Sequence, residues 1–408
     1  MKPQLMSPAG SWESLRAAIK AGTDSVYFGI KQLNMRSHGA NNFDLKDLKK
    51  ITKICNKENI KTYLTLNTIV YDKELKLIKK ICNKAKENGI TSIIASDLAV
   101  ISYCNSINIP VNISTQLNVS NIEEVKFFSK YADIITLARE LNLDQIKKIT
   151  KQIKKEKIKG PSKNLIKLEA FVHGALCVSI SGKCYMSLAT FNKSANRGEC
   201  LQNCRRTYKV IDNETNDELK INNNHIMSPK DLCTIGIVDR LIKSGISLFK
   251  IEGRARAPDY VYTVTKIYKE AIDSVYTKTY SKDKIKKWEK ELKTVFNRGF
   301  WNNGYYFGKK LGEWADSYGS KATKKKKFLG ICLHYFDKKK IGYFNIQTNS
   351  IKLGDEILIT GPTTGIVKEK VESIVIEKKS IEKAKKGDLI TIPIKEKIRK
   401  NDKLFLIK

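Results

Sequence analysis

Residues 61–116 read KTYLTLNTIVYDKELKLIKKICNKAKENGITSIIASDLAVISYCNSINIPVNISTQ, and the order of pattern types within them decides the fold. Short runs rich in β-branched and aromatic residues stand at 61–67, 92–96 and 111–114, and an amphipathic stretch, 73–88, separates the first two. Strand–helix–strand alternation implies parallel βαβ units. The alternation continues in both directions. Candidate strands recur at 3–6, 25–29, 134–137, 168–172 and 248–251, with amphipathic segments at 12–21, 45–58, 122–131 and 143–155. Eight such strands fit a closed (β/α)8, TIM-like barrel of the α/β class. A doubly wound open sheet is the competing arrangement, but no G-x-G-x-x-G follows the first strand.

Polar or Gly-rich residues crowd the C-terminal end of nearly every candidate strand, the face where such barrels place their active sites. They are Ser7-Pro8-Ala9-Gly10, then Gly29 with Asn34 and Arg36, Asn67-Thr68, Ser96-Asp97 and Ser114-Thr115-Gln116. Arg139-Glu140, His173-Gly174 and Glu252-Gly253-Arg254 complete the series. Ser7, Ser96 and Ser120 read as N-caps of the following helices. Arg139, Glu140, Glu252 and Arg254 have no capping role, so they are candidate site residues. His173, a lone histidine at a strand end, is a candidate catalytic group beside Glu252 and Arg254.

After the seventh strand the chain leaves regular structure for a long cysteine-rich insertion, and a loop of that length needs a function or a metal staple. The expected organisation is a barrel over 1–275 carrying the Cys-rich loop 173–235, a helical extension and basic linker over 276–325, and a small C-terminal β-barrel over 326–408. Gly354-Asp355 and Gly387-Asp388 mark turns in that last part.

The chain of 408 residues carries a formal net charge of +34, which suggests a polyanionic partner. Most of the excess is Lys, in a chain also rich in Asn and Ile, a pattern that decorates any surface encoded by an AT-rich genome. Arginine is the sharper clue. Only eleven of the 76 basic residues are Arg, yet Arg36, Arg139, Arg197, Arg205, Arg206 and Arg254 fall inside these motifs. Arg supplies a planar fork for carboxylate and phosphate that Lys cannot copy, so Arg36, Gln116, Arg139, Arg197 and Arg205 are candidate substrate-binding residues. No basic stretch followed by an apolar run opens the chain, and no apolar run approaches the ~18 residues of a membrane helix. A cytoplasmic protein with no membrane partner is expected.

Nine cysteines in such a chain read as metal ligands or core residues rather than disulfides. Cys55, Cys82, Cys104 and Cys332 stand alone in apolar contexts. Cys177, Cys184, Cys200 and Cys204 share one loop with gaps of six, fifteen and three residues, and Cys233 follows at the start of the next predicted helix. Four thiolates bind either tetrahedral zinc or an iron–sulfur cluster. No C-x2-C knuckle is present, and the loose spacing above a barrel mouth favours [4Fe–4S]; zinc is the alternative ion, and Cys233 the alternative fourth ligand. The neighbouring guanidiniums of Arg197, Arg205 and Arg206 would stabilise a negatively charged cluster.

The stretches Glu169-Ala-Phe-Val-His-Gly-Ala-Leu-Cys177 and Ser181-Gly-Lys-Cys184-Tyr-Met-Ser187 resemble the signature of the peptidase U32 family. Ser7-Pro-Ala-Gly10, Tyr27-Phe-Gly29, Asn196-Arg-Gly-Glu-Cys200, Ser228-Pro-Lys-Asp-Leu-Cys233 and Lys250-Ile-Glu-Gly-Arg254 are similar to it too, and the likeness spans essentially the whole chain. Ser228-Pro-Lys departs mildly from the family's Ser-Lys pattern. In architecture the chain most resembles the tRNA hydroxylation members. That resemblance implies 5-hydroxyuridine formation at wobble uridine 34, tRNA as partner, prephenate as a dicarboxylate co-substrate and a paralogous U32 subunit. Ubiquinone-pathway members hold a [4Fe–4S] cluster, and Cys177, Cys184 and Cys200 look similar to their first three ligands. The family's name implies a collagenase-like peptidase instead, for which the sequence offers no H-E-x-x-H or G-x-S-x-G. A zinc-stapled RNA-binding factor is the third reading.

Overall fold

The computed structural model describes residues 2–219, 225–308, 313–317 and 319–408. Eight short strands run parallel: β1 Gln4–Ala9, β2 Ser25–Phe28, β3 Lys61–Leu66, β4 Ser92–Ala95, β5 Val111–Ile113, β6 Ile134–Thr136, β7 Lys167–Gly174 and β8 Leu248–Ile251. Each pairs with the next in sequence, and β8 pairs with both β7 and β1, which closes the barrel. Outward-pointing residues of the strands join the apolar faces of the surrounding helices in one continuous core. Inward-pointing Met6, Tyr27, Tyr63, Ile94, Ile134 and Leu248, from six different strands, fill the barrel as a separate cluster. This is the layered packing expected of a barrel of eight strands.

The helices start where a short polar side chain can accept from a free N–H, at Trp12, Ile122 and Leu143 as the amphipathic segments suggest, but the caps are not the serines expected. Ser11, Asp97 and Asn121 are the N-caps of the helices that follow β1, β4 and β5. The three serines read as caps do other work. Ser7 is buried in the barrel wall, with its hydroxyl 2.8 Å from that of Thr265. Ser96 donates to the Asn67 carbonyl, and Ser120 bonds Glu124. β1 runs on through Ala9 and carries the cap past Ser7, while Asp97 and Asn121, each one residue beyond the serine, hold the cap geometry themselves.

The insertion after β7 returns to the strand it left. Asp231–Cys233 pairs antiparallel with the end of β7, Leu232 opposite Gly174 and Cys233 opposite His173, and parallel with Phe300–Asn302. Cys233 therefore lies in a strand, and the helix expected to begin there starts at Val238. Beyond the helices Pro258–Tyr276 and Lys282–Leu292, the C-terminal part is an eight-stranded antiparallel sheet running from Lys326–Phe336 to Lys403–Ile407. It has its own apolar core around Leu329, Phe344, Ile359, Ile390 and Leu404. It docks on the helix Trp12–Lys20, where Ala17 packs against Leu358 and Ile366 and Lys20 donates to the Ile366 carbonyl. No described helix is long and apolar enough to cross a membrane.

Candidate metal centre and active site

The C-terminal ends of the strands converge on a cavity of about 90 Å³ lined by Tyr27, Arg36, Gln116, Arg139, Glu252 and Arg254, with Cys177 at its edge. Five candidates from four strand ends thus meet. Arg36 Nη2 donates to Glu252 Oε1 at 3.1 Å, and the Tyr27 hydroxyl lies 3.3 Å from Oε2. Burial pushes the Glu252 carboxyl up, but the guanidiniums of Arg36, Arg139 and Arg254 outweigh it and hold the group below the usual carboxylate range. Glu252 in turn raises Arg36, against the cost of burial.

Arg254 is buried, and Nη1 donates to Asn34 Oδ1 at 3.0 Å and Thr65 Oγ1 at 2.7 Å. Burial lowers its pKa to about 10, so it is a cation at neutral pH. A side chain at Gly29 would meet Arg254 Nη1 at 2.6 Å, which is why glycine stands there. Gln116 accepts from Asn67 Nδ2 at 2.7 Å, and Arg139 lies 4.0 Å over the Phe171 ring while donating to the Ala175 carbonyl. The Arg139 Nε is buried with no hydrogen-bond partner.

An adjoining cavity of about 150 Å³ is lined by Cys177, Cys184, Cys200 and Cys204 together with Arg36 and Arg205. All four cysteines are free thiols. Burial raises the Cys204 pKa, Arg205 opposes this, and Cys200, Cys177 and Cys184 each raise it further, so the four are within electrostatic reach of one another. The loop that carries them is pinned to the barrel. Gly198 packs so closely on Ser37 and the Asn34 carbonyl that a Cβ would come within 2.2 Å, and Ile69 N donates to the Asn196 carbonyl. Four thiols on one cavity wall beside two guanidiniums are a donor set suited to a four-thiolate metal group. Among the described residues no three His, Cys, Asp or Glu side chains already sit at ion-holding distance. The fit rests on the shared cavity and the donor chemistry.

Three sequence candidates lie apart from these cavities. Cys233 is sealed in the core, its thiol pushed up to about 12 chiefly by burial. His173 is 1% exposed, with Nδ1 3.3 Å from the Tyr268 hydroxyl and the rings of Tyr260 and Phe300 against it. Burial pulls its pKa to about 3, so it is neutral across the working range. Arg197 faces away. It grips both carboxylate oxygens of Glu74 at 2.7 and 2.5 Å, lies over Tyr71 and fastens the cysteine loop to the loop after β3. Arg205 does line the thiol cavity, but its guanidinium donates to Ser228 Oγ and to the Pro229 and Leu176 carbonyls. Sequence reasoning missed Thr65 and the role of Tyr27. Both point inward on strands by two-residue periodicity, the one signal that could have found them.

The profile of Peptidase family U32 matches residues 10–316. A Porphyromonas gingivalis protein named collagenase is 51% identical, covering 98% of this chain and 97% of its own. The tRNA hydroxylation protein P1 of Bacillus subtilis is 29% identical, covering 91% of this chain and 87% of its own. The 23S rRNA 5-hydroxycytidine C2501 synthase of Escherichia coli is 34% identical over 67% of this chain and 39% of its own. With three quarters of its length under the family profile and a relative at that identity along nearly all of it, this chain belongs to peptidase family U32.

Proposed function

We propose that the chain is an RNA-modifying enzyme that hydroxylates uridine 34 of tRNA to 5-hydroxyuridine, with a [4Fe–4S] cluster on Cys177, Cys184, Cys200 and Cys204 and prephenate as co-substrate. The observation that carries the reading is the placing of four thiols in one cavity that opens onto the Arg36–Glu252–Arg139 mouth. When bound, the cluster would supply electron transfer beside that mouth. Arg36, Arg139 and Arg254 offer planar forks to a dicarboxylate, and Glu252 keeps Arg36 oriented while staying ionised. A third cavity, about 760 Å³, lies between the barrel mouth and the C-terminal sheet and is lined by Arg256, Lys326, Arg399, Lys400 and Lys403. It suits an RNA backbone, with affinity that falls steeply with salt. Relatives named for tRNA and rRNA hydroxylation support the same reading.

The collagenase-named relative favours a peptidase. The geometry favours it less. No histidine lines either mouth cavity among the described residues, and His173, the base a Cys nucleophile would need, is walled off behind Tyr268.

Anaerobic purification followed by iron, sulfide and zinc analysis tests the proposal. About four irons and four sulfides per chain are expected, lost in Cys177→Ala and kept in Cys233→Ala. Stoichiometric zinc without iron would replace the redox reading with a zinc-stapled RNA-binding factor. Nucleoside analysis of tRNA incubated with the intact protein then decides the product. Gelatin cleavage that disappears in Cys177→Ala would establish the peptidase instead.

A further inference from the structure

Beside Cys177, on the side away from Arg36, lies a cavity of about 210 Å³ bounded by Arg139, Glu140, Cys177, Trp301, Tyr305 and Trp314. Its wall is unusual for this chain. Only four tryptophans occur in 408 residues, and two of them face this one space. Trp301 and Tyr305 are buried and fixed, their rings edge-to-face with centroids 6.2 Å apart. Trp314 is 47% exposed, at the rim, and its backbone bridges to Pro229. A large aromatic ring left half in water beside a pocket is a stacking platform awaiting a planar partner.

The polar edge of the pocket has a definite pattern. Arg139 presents a guanidinium whose Nε is buried without a partner, held in place over Phe171 and on the Ala175 carbonyl. Glu140, its neighbour in sequence, lines the same space. A fork of donors next to a carboxylate complements the Watson–Crick edge of a pyrimidine. Uracil offers carbonyl oxygens to the guanidinium and N3–H to the carboxylate, and cytosine offers O2 and N3 to the former and its amino group to the latter. Cys177 borders this pocket, the thiol cavity and the arginine mouth alike. An occupant would therefore sit against the segment where the reaction is proposed to occur.

We infer that this pocket receives a single pyrimidine base swung out of an RNA loop, stacked on Trp314 and held at its edge by Arg139 and Glu140. The inference rests on the RNA-hydroxylase reading and names where its base goes. Enzymes that act on a base must unstack it into such a pocket, and an aromatic side chain replaces the stacking the base has lost.

The test uses the intact, metal-loaded protein and a labelled anticodon stem–loop RNA, either with uridine at position 34 or abasic there. Trp314→Ala is expected to weaken binding of the uridine hairpin by about tenfold. It should leave the already weaker abasic hairpin unchanged, and Trp314→Phe should retain most of the affinity. An equal loss on both hairpins, or no loss on either, overturns the pocket while leaving the RNA reading standing. Failure of the unsubstituted protein to bind either hairpin overturns the RNA reading itself and the pocket with it. Because Trp314 is half exposed, unchanged circular dichroism and metal content are expected in both variants.

Discussion

Two carboxylate–cation pairs lie one above the other in the barrel, Glu169–Lys250 inside and Glu252–Arg36 at the mouth. Lys250 Nζ is 2.8 Å from Glu169 Oε1, Thr136 and Asn112 donate to the same carboxylate, and the side chains are 6% and 0% exposed. Arg36 and Glu252 are 30% and 14% exposed, and the cavity beside them opens onto four thiols. The Glu169 carboxylate is saturated by the fold, and only Lys250 of this pair also lines the mouth cavity. The outer pair keeps donors and a charged edge available. Lys250 and Glu252 are two residues apart on one strand, so they share its inward face; a shift of one layer separates a structural ion pair from a candidate active site.

Removing each carboxylate in turn separates the two pairs. Glu169→Ala strands Lys250 in the interior, and a loss of about 3–5 kcal/mol is expected in urea unfolding of the metal-loaded protein; a loss under 1 kcal/mol would show that the inner pair is not structural. Glu252→Gln keeps the hydrogen-bonding shape but removes the charge. About 1–3 kcal/mol of stability should go, and the proposed hydroxylation should be abolished; full activity would remove Glu252 from the site.

Acid sharpens the contrast further. His173 has a folded pKa near 3, below the ordinary value of 6.5, so the unfolded chain binds the extra proton. Stability should therefore fall as pH drops below about 6.5, by at most about 1.4 kcal/mol per pH unit. His173→Gln should flatten that slope between pH 7 and 5, where Glu252 is still ionised. Glu252, held below the carboxylate range, adds its own loss only at lower pH. An unchanged slope in the variant would place the acid sensitivity elsewhere. The smallest effect is expected outside the mouth. Arg197→Lys gives up the two-pronged grip on Glu74 and the stack on Tyr71, costing about 1 kcal/mol with metal retained. Loss of the metal would show that this anchor shapes the thiol cavity.

The barrel was legible because eight apolar runs, separated by amphipathic segments, admit few topologies. The mouth was legible because Gln116, Arg139, Glu252 and Arg254 closely follow such runs, Arg36 lies in the loop after another, and the end of a parallel strand faces the site. The rest was hidden by distance along the chain. Nothing local to Lys250 announces Glu169, 81 residues away, and nothing local to His173 shows Tyr268 above it. Cys233 looked like an alternative fourth ligand because spacing says how far a residue can reach; which side of a sheet it lies on is settled only when Asp231–Cys233 pairs with β7. Arg197 and Arg205 were read as ligand-binding by type, whereas burial beside carbonyls and Glu74 gives them structural partners.

The antiparallel pairing of Asp231–Cys233 with β7 fixes where the excursion can change length. With Leu232 opposite Gly174, the two ends of the cysteine-bearing excursion are tied together by backbone pairing alone. The last thiol, Cys204, precedes a small hairpin, Val210–Ile211 with Glu218–Leu219, that lies outside the thiol cavity. Each doubling of a loop's length adds only about 0.6 kcal/mol of closure entropy. The hairpin between Val210 and Leu219 can therefore grow or shrink at small thermodynamic expense, an open berth for new surface contacts that leaves the four sulfurs where they stand.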